Sequence, residues 1–268
     1  MAVVSDLHVN STVGLAPPYT ELDDGGTYRP SKAQRWLWRN WLDFWEQVRA
    51  KKEEHNAQLR VVFNAEIADL NKHSKYQLFT VNETTVMRAA VEVLTPALDV
   101  ADVVFVTRGT EAHTGGSAHI EEKIAEDIGA AKDDEAGNWS WWWLPMEAAG
   151  VRLDFQHHPA TGSRRPWTRG AAPTRQAAIV AMEYALEGKA PPHLGVYSHG
   201  HYFADSGTTI RPRVIFTPPW QLTTAFGHRL GVGGRLEPVG GVAFVCQDGQ
   251  YTMHDIRYQG RRRKPWKM

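Results

Sequence analysis

Residues 194–201 read LGVYSHGH, an apolar stretch closed by Ser198 and followed by His199 and His201 two positions apart. A short apolar run bounded by polar residues has the pattern of a buried β-strand. Two imidazoles therefore arrive at that strand's carboxyl end. Four other stretches repeat the arrangement. AVVSDLH (2–8) releases Asp6 and His8, and LRVVFNAE (59–66) releases Glu66, with Asp69 close behind. DVVFVTRGTEAH (102–113) releases Glu111 and His113, and VRLDFQHH (151–158) releases His157 and His158. In open α/β sheets, ligands gather outside the carboxyl ends of strands. Five strand ends carrying carboxylates and imidazoles predict one shared site.

The segments between these strands read as helices. Ser31 followed by Gln34 has capping-box spacing, and residues 31–58 carry Leu37, Trp41, Phe44, Trp45 and Val48 on one face. Those tryptophans read as core. Residues 82–98 and about 118–128 have helical periodicity, and Pro173 and Gly188 bracket a further helix. The stretch 10–30 reads as a long loop, WSWWWLP (139–145) as a short aromatic strand, and GVGG (231–234) as a glycine turn. Strand-like segments near 208–217, 241–246 and 250–257 complete a second sheet. The order of elements predicts an α/β sandwich formed by a single domain over residues 1–268, with a basic tail at 258–268.

The residue types constrain the chemistry. On extended chain, alternate residues share a face, so D-x-H and H-x-H each aim two donors at one point. His157 and His158 on a continuing strand would face opposite ways, leaving one of them, preferably His157, as a donor. Imidazole nitrogen with carboxylate oxygen suits Mn, Fe, Zn or Co, whereas calcium favours oxygen alone. Two ions held close together need a shared carboxylate, supplied by Glu66 or, as the alternative, Asp69. His55, His119, His193, His228 and His254 fall outside any motif.

With these residues the sequence resembles the calcineurin-like metallophosphoesterases, whose motifs run D-x-H, G-D, G-N-H-D/E, a lone His and G-H-x-H. Here they correspond to Asp6/His8, Ala65-Glu66, Gly109–His113, His157 or His158, and Ser198–His201, spanning about residues 3–203. The resemblance implies a two-sheet α/β sandwich flanked by helices in four layers (αββα). It also implies two divalent metal ions and hydrolysis of phosphate esters. Carried over by position, Asp6, His8 and His201 hold one ion, Glu66 bridges, and Glu111, His157 and His199 hold the other. His113 protonates the leaving oxygen. The chain departs from the pattern in three places. Glu66 is one methylene longer than the usual aspartate, G-T-E-A-H lacks the usual asparagine, and Ser198 replaces a glycine. These changes motivate a competing expectation, a binding module on a degenerate hydrolase scaffold. An amidohydrolase is disfavoured, because H-x-H comes late here and D-x-H first.

Thirty basic and thirty acidic side chains give no net charge, so nucleic acid would have to be recruited by a local patch. Arg164 and Arg165, with Arg169 and Arg175 nearby, read as a phosphate clamp. The aromatic 139–143 stretch and the tail RRRKPWKM add soft support for a phosphodiester substrate, including nucleic acid, over a monoester. No apolar run approaches the eighteen residues of a membrane span. The lone Cys246 and an N-terminus without signal-peptide character point to a cytoplasmic protein.

Overall fold

A computed structural model describes residues 1–70, 77–162, 166–231, 236–261 and 265–267. The first half alternates strands and helices: β1 (Ala2–Val4), the short pair β2 (Thr20–Glu21) and β3 (Thr27–Tyr28), α1 (Lys32–Glu54), β4 (Arg60–Phe63), α2 (Glu83–Leu98), β5 (Val103–Val106), α3 (Glu111–Thr114) and α4 (His119–Asp127). The second half holds β6 (Leu144–Ala148), β7 (Val151–Phe155), α5 (Ala171–Leu186), β8 (Leu194–Tyr197), β9 (Ala204–Asp205), β10 (Arg213–Phe216), α6 (Ala225–Arg229), β11 (Val239–Gln247) and β12 (Gln250–Tyr258). One sheet has the order β12-β11-β1-β4-β5 and the other β6-β7-β8-β10-β9.

In each sheet three adjacent strands, β1/β4/β5 at one edge of the first and β7/β8/β10 in the middle of the second, run parallel, while the remaining strands pair antiparallel. Parallel strands covered on both faces are apolar throughout, and the period of two then divides each run between two cores. Val3, Val62, Val196 and Ile215 face inward with Leu153, Phe155 and Phe244, forming the layer between the sheets. Val4, Val61, Phe63 and Val104 face outward against α1, α2 and α4. Tyr197, Val214 and Phe216 pack against Ala172, Ala177 and Val180 of α5. The result is the four-layer αββα sandwich expected from the sequence. None of the described helices is long and apolar enough to cross a membrane.

Local chemistry fixes the helix ends. Ser31 accepts from the Gln34 backbone N–H at 3.2 Å, and the Ser31 N–H donates to the Gln34 side chain at 3.1 Å, closing the capping box at α1. Trp41, Phe44 and Trp45 from its apolar stripe are buried, and Trp41 Nε1 donates to Val93 O of α2 at 2.8 Å.

Three sequence expectations are corrected. The WSWWW stretch is not itself a strand. Trp141 makes a single parallel bridge to Thr107, and the strand begins at Leu144 because a tight turn at Ala149 and Gly150 (φ 48° and 79°) sets the register of β6 with β7. The stretch 10–30 is not wholly loop, since it contains the β2–β3 pair. The strands after β8 do not all complete one sheet: β10 joins the second, while β11 and β12 extend the first. The GVGG stretch lies largely outside the described residues.

Candidate metal centre

Every parallel strand is followed by a small polar residue: Ser5, Asn64, Thr107, Gln156, Ser198 and Thr217. Their side chains lace the strand ends together beneath the site. Ser5 and Ser198 each lie 2.8 Å from Thr217 Oγ1. Asn64 Nδ2 donates to Ser198 Oγ at 2.5 Å and to Gln156 O at 3.0 Å, and Asn64 Oδ1 accepts from Thr107 Oγ1 at 2.8 Å. Buried polar groups hydrogen-bonded in this way give a rigid floor. This layer was not anticipated, although the polar residue after each apolar run signalled it.

Above the floor, the chain leaves the extended conformation. Asp6, His8, Ala65, Glu66, His199 and His201 have φ of 52°, 47°, 66°, 53°, 64° and 52°. Left-handed conformations cost non-glycine residues roughly 1–2 kcal/mol each, and such strain clusters at functional sites. D-x-H and H-x-H therefore converge through left-handed turns, not through the strand alternation assumed from sequence. The turns around 6–8 and 65–67 are coupled, with the Asp6 N–H donating to Ala65 O at 3.0 Å and the His8 N–H to Glu66 O at 2.9 Å.

Three groups of donors result. Asp6, His8, Glu66 and His201 form the first. His201 Nε2 is 3.3 Å from Asp6 Oδ1, and His8 Nε2 is 3.1 Å from Glu66 Oε2 and 3.2 Å from His201 Nε2. His157, His158 and His199 form the second. Glu66 joins it to the first, since Oε1 lies 3.2 Å from His157 Nε2 and 3.7 Å from His199 Nδ1. His8, Asp69 and His113 form the third, with Asp69 Oδ1 3.3 Å from His8 Nδ1 and in contact with His113 Nδ1.

Asp6, His8, Glu66, His157, His199, His201 and His113 are thus gathered around one rim. Glu111 is not among them. It opens the first turn of α3 as an exposed residue, outside all three groups. His158 joins His157 because β7 ends at Phe155, so strand alternation no longer separates the two rings. Arg164 and Arg165 lie outside the described residues. Arg169 is engaged elsewhere, 2.5 Å from Glu237 and over the Tyr202 ring.

The group can hold cations on the evidence of its own atoms. Asp6 Oδ1, Glu66 Oε2 and His157 Nε2 are buried without a hydrogen-bond partner. Such atoms are rare unless an ion or water satisfies them. His157 Nδ1 lies 3.0 Å from Asn64 O and donates to it, which leaves Nε2 as the atom aimed at the centre.

Electrostatics agree. Burial opposes charge on His8, but Asp69 and Glu66 outweigh it and raise the ring to about 10. Burial likewise opposes charge on His157, which Glu66 raises to about 9. Burial would raise Glu66, yet His157 and the other imidazoles hold its carboxyl well below the usual range. Asp69 is depressed in the same way by His8 and His113. In the absence of cations, protons occupy the charge deficit among these carboxylates.

Two further residues went unrecognised in the sequence. Glu121 of α4 is fully buried and accepts from the backbone N–H groups of Gly109 and Ile67, tying together the two loops that carry Glu66 and His113. Gly109 permits that approach, because a Cβ there would meet Glu66 Cγ at 2.8 Å. Thr110 Oγ1 donates to Glu66 Oε1 at 2.7 Å, orienting the shared carboxylate.

No protein-family model matches the chain, and no curated protein sequence does. Among solved structures, wild-type Vps29 from Entamoeba histolytica complexed with zinc is similar at a TM-score of 0.44 and 10% identity, over 96% of this chain and 97% of that one. A hypothetical protein, PH1004 from Pyrococcus horikoshii OT3, is similar at a TM-score of 0.43 and 12% identity, over 96% and 88%.

Proposed function

We propose that the chain is a metal-dependent phosphoester hydrolase of the calcineurin-like kind. The observation that carries this reading is the convergence on Glu66 of two donor groups whose buried Asp6 Oδ1, Glu66 Oε2 and His157 Nε2 face only one another's imidazoles and carboxylates. Asp6, His8 and His201 would hold one divalent ion, His157 and His199 would hold a second, and Glu66 stands where both could use it. Two such ions, when bound, polarise phosphoryl oxygens and acidify water at neutral pH.

The remaining roles belong to the chain itself. Asp69 takes the Nδ1 proton of His113 in a hydrogen bond and fixes the ring, so a second proton, on the opposite nitrogen, is the one that would pass to the leaving oxygen. Asp69 also faces His8 Nδ1 at 3.3 Å, which reserves Nε2 for the ion. Thr110 and the Glu121-pinned loops hold Glu66 in place. Trp142 and Trp143 are exposed, and the Arg108 guanidinium carbon lies 5.2 Å from the Trp142 ring centre. Open aromatic surface on which bases can stack favours a diester such as nucleic acid over a monoester.

The test is cleavage of a bis-aryl phosphate by the full chain with Mn, Zn, Fe or Co. His199→Ala should abolish it, and full retention of activity would refute the assignment. Comparing DNA oligonucleotides with an aryl monophosphate separates diesterase from monoesterase. One observation favours the second reading, a metal-holding binding module. The side chain against Glu66 in the Gly109–His113 loop is a hydroxyl that donates to Glu66, so this loop offers no cation donor there. Two bound ions without cleavage of any phosphoester would favour the module.

A further inference from the structure

We infer that His158 is a third imidazole donor of the second cation position. That position is then a three-nitrogen, one-carboxylate site suited to zinc, cobalt(II) or nickel(II) rather than to magnesium or calcium. The inference rests on the metal-centre reading above and goes beyond it, because only one of the two adjacent histidines is needed there.

Three observations converge on His158. The first is geometric. Its ring centre lies 4.2 Å from that of His199 and 4.9 Å from that of His157, and ligand atoms of the three rings come within 4.8 Å of one another. The second concerns what those nitrogens already do. Asn64 O holds the Nδ1 proton of His157, so Nε2 is the nitrogen turned toward the shared carboxylate, 3.2 Å from Glu66 Oε1. The third concerns the missing oxygen donor. The Gly109–His113 loop has Thr110 where the motif would supply asparagine, and the Thr110 hydroxyl is committed to Glu66 Oε1 at 2.7 Å. Glu111, the other candidate for that coordination position, is exposed and outside the groups. Loss of an oxygen donor on one side of the ion is thus matched by gain of a nitrogen on the other.

The donor set decides the metal class. Imidazole suits zinc, copper, iron and nickel, whereas carboxylate, carbonyl and water suit magnesium, calcium and manganese. Three imidazoles with one carboxylate oxygen fall in the first class. Asp6, His8, Glu66 and His201 offer a more mixed set, so the two positions should differ in preference.

The experiment titrates the chelator-stripped full chain with zinc and, separately, with manganese, by calorimetry. The wild type should take up two zinc ions. His158→Ala and His158→Gln should weaken one of them by at least about tenfold, since even outer-shell partners of metal ligands command roughly 10- to 100-fold. The other zinc affinity should stay within about threefold, as should manganese binding, and His193→Ala should match the wild type throughout. His158 is exposed, so the stripped variants should melt as the wild type does, which guards against a folding explanation. Two zinc affinities unchanged in both His158 variants would overturn this inference while leaving the proposed function standing. A wild type that binds no divalent cation would overturn both.

Discussion

Asp6, His8 and Glu66 reach the rim from the first sheet and are fully buried, whereas His158 and His199 come from the second sheet and are exposed. The buried group carries both carboxylates of the pair of groups; the open one is built of imidazoles. Their protons differ accordingly. Carboxylates hold His8 charged to about 10 despite its burial. Desolvation and the charges of His157 and His199 instead lower His158 to about 4. Without cations the buried carboxylates are already neutralised by protons on His8 and His157, while His158 presents bare nitrogens. Glu66 is the one residue common to both, and His157, buried beside it, belongs electrostatically to the first group although it stands in the second.

The comparison breaks most completely at that shared carboxylate. Glu66→Gln should remove both ions, lowering each affinity by more than about 100-fold and taking all hydrolysis with it; elemental analysis of the purified variant measures this directly. If one ion survives at wild-type affinity, the groups are independent and Glu66 does not join them. Next in size is His113→Ala, which should cut turnover by about 10²- to 10⁴-fold, the usual worth of a general acid, with metal content unchanged. Asp69→Asn should share that loss and also weaken the buried ion, because Asp69 faces His8 as well as His113. Steady-state kinetics beside metal analysis separates the two roles, and loss of metal in His113→Ala would reassign that ring as a ligand.

Most of the strands and helices were legible because their patterns answer to local rules. Gln34 and Ser31 announce the α1 start, and each parallel strand shows its apolar run. The donors were legible as residue types at strand ends. Their aim was not. Asp6 and His8 converge through left-handed turns that no residue-type preference signals, since aspartate and histidine there stand in conformations glycine would adopt more easily. Glu121 was equally invisible: on a helix it reads as an ordinary acid, and only the fold brings Gly109 and Ile67 to it. The hairpin joining β6 to β7 was missed because WSWWW drew attention to side chains, while the turn at Ala149-Gly150 set the register. What sequence hides here is long-range backbone geometry.

The proton difference gives a sharper test. Loading the first position must displace the proton on His8, and loading the second the proton on His157, whose pKa values of about 10 and about 9 lie above neutrality. Metal affinity is coupled to ligand deprotonation, so affinity for each ion should rise about tenfold per pH unit per displaced proton up to about pH 9. His158, lowered to about 4, adds no such dependence above pH 6. Zinc titrations at pH 6.5, 7.5 and 8.5 in two buffers of different protonation enthalpy count the released protons. An affinity for either ion that does not change with pH would show that its buried imidazole already lacks the proton.

The smallest effect concerns the strut under both loops. Burial raises the Glu121 carboxyl to about 7, the Gly109 and Ile67 N–H groups opposing it only in part. Because the folded value lies above the unfolded one, this group's contribution to stability is fully present below about pH 4.5. It is lost as pH rises through about 7. The loss amounts to at most about 1.4 kcal/mol per pH unit within that window and on the order of 3 kcal/mol in all. Glu121→Gln cannot ionise, so urea unfolding of the stripped variant at pH 5, 6, 7 and 8 should lack that decline, while the stripped wild type keeps it. With ions bound, the negative charge of Glu66 that helps raise Glu121 is offset, and the wild-type decline should shrink. If stripped wild type and Glu121→Gln have the same pH profile, the carboxyl is already ionised at pH 5, and the loops are held by a charged strut instead of a neutral one.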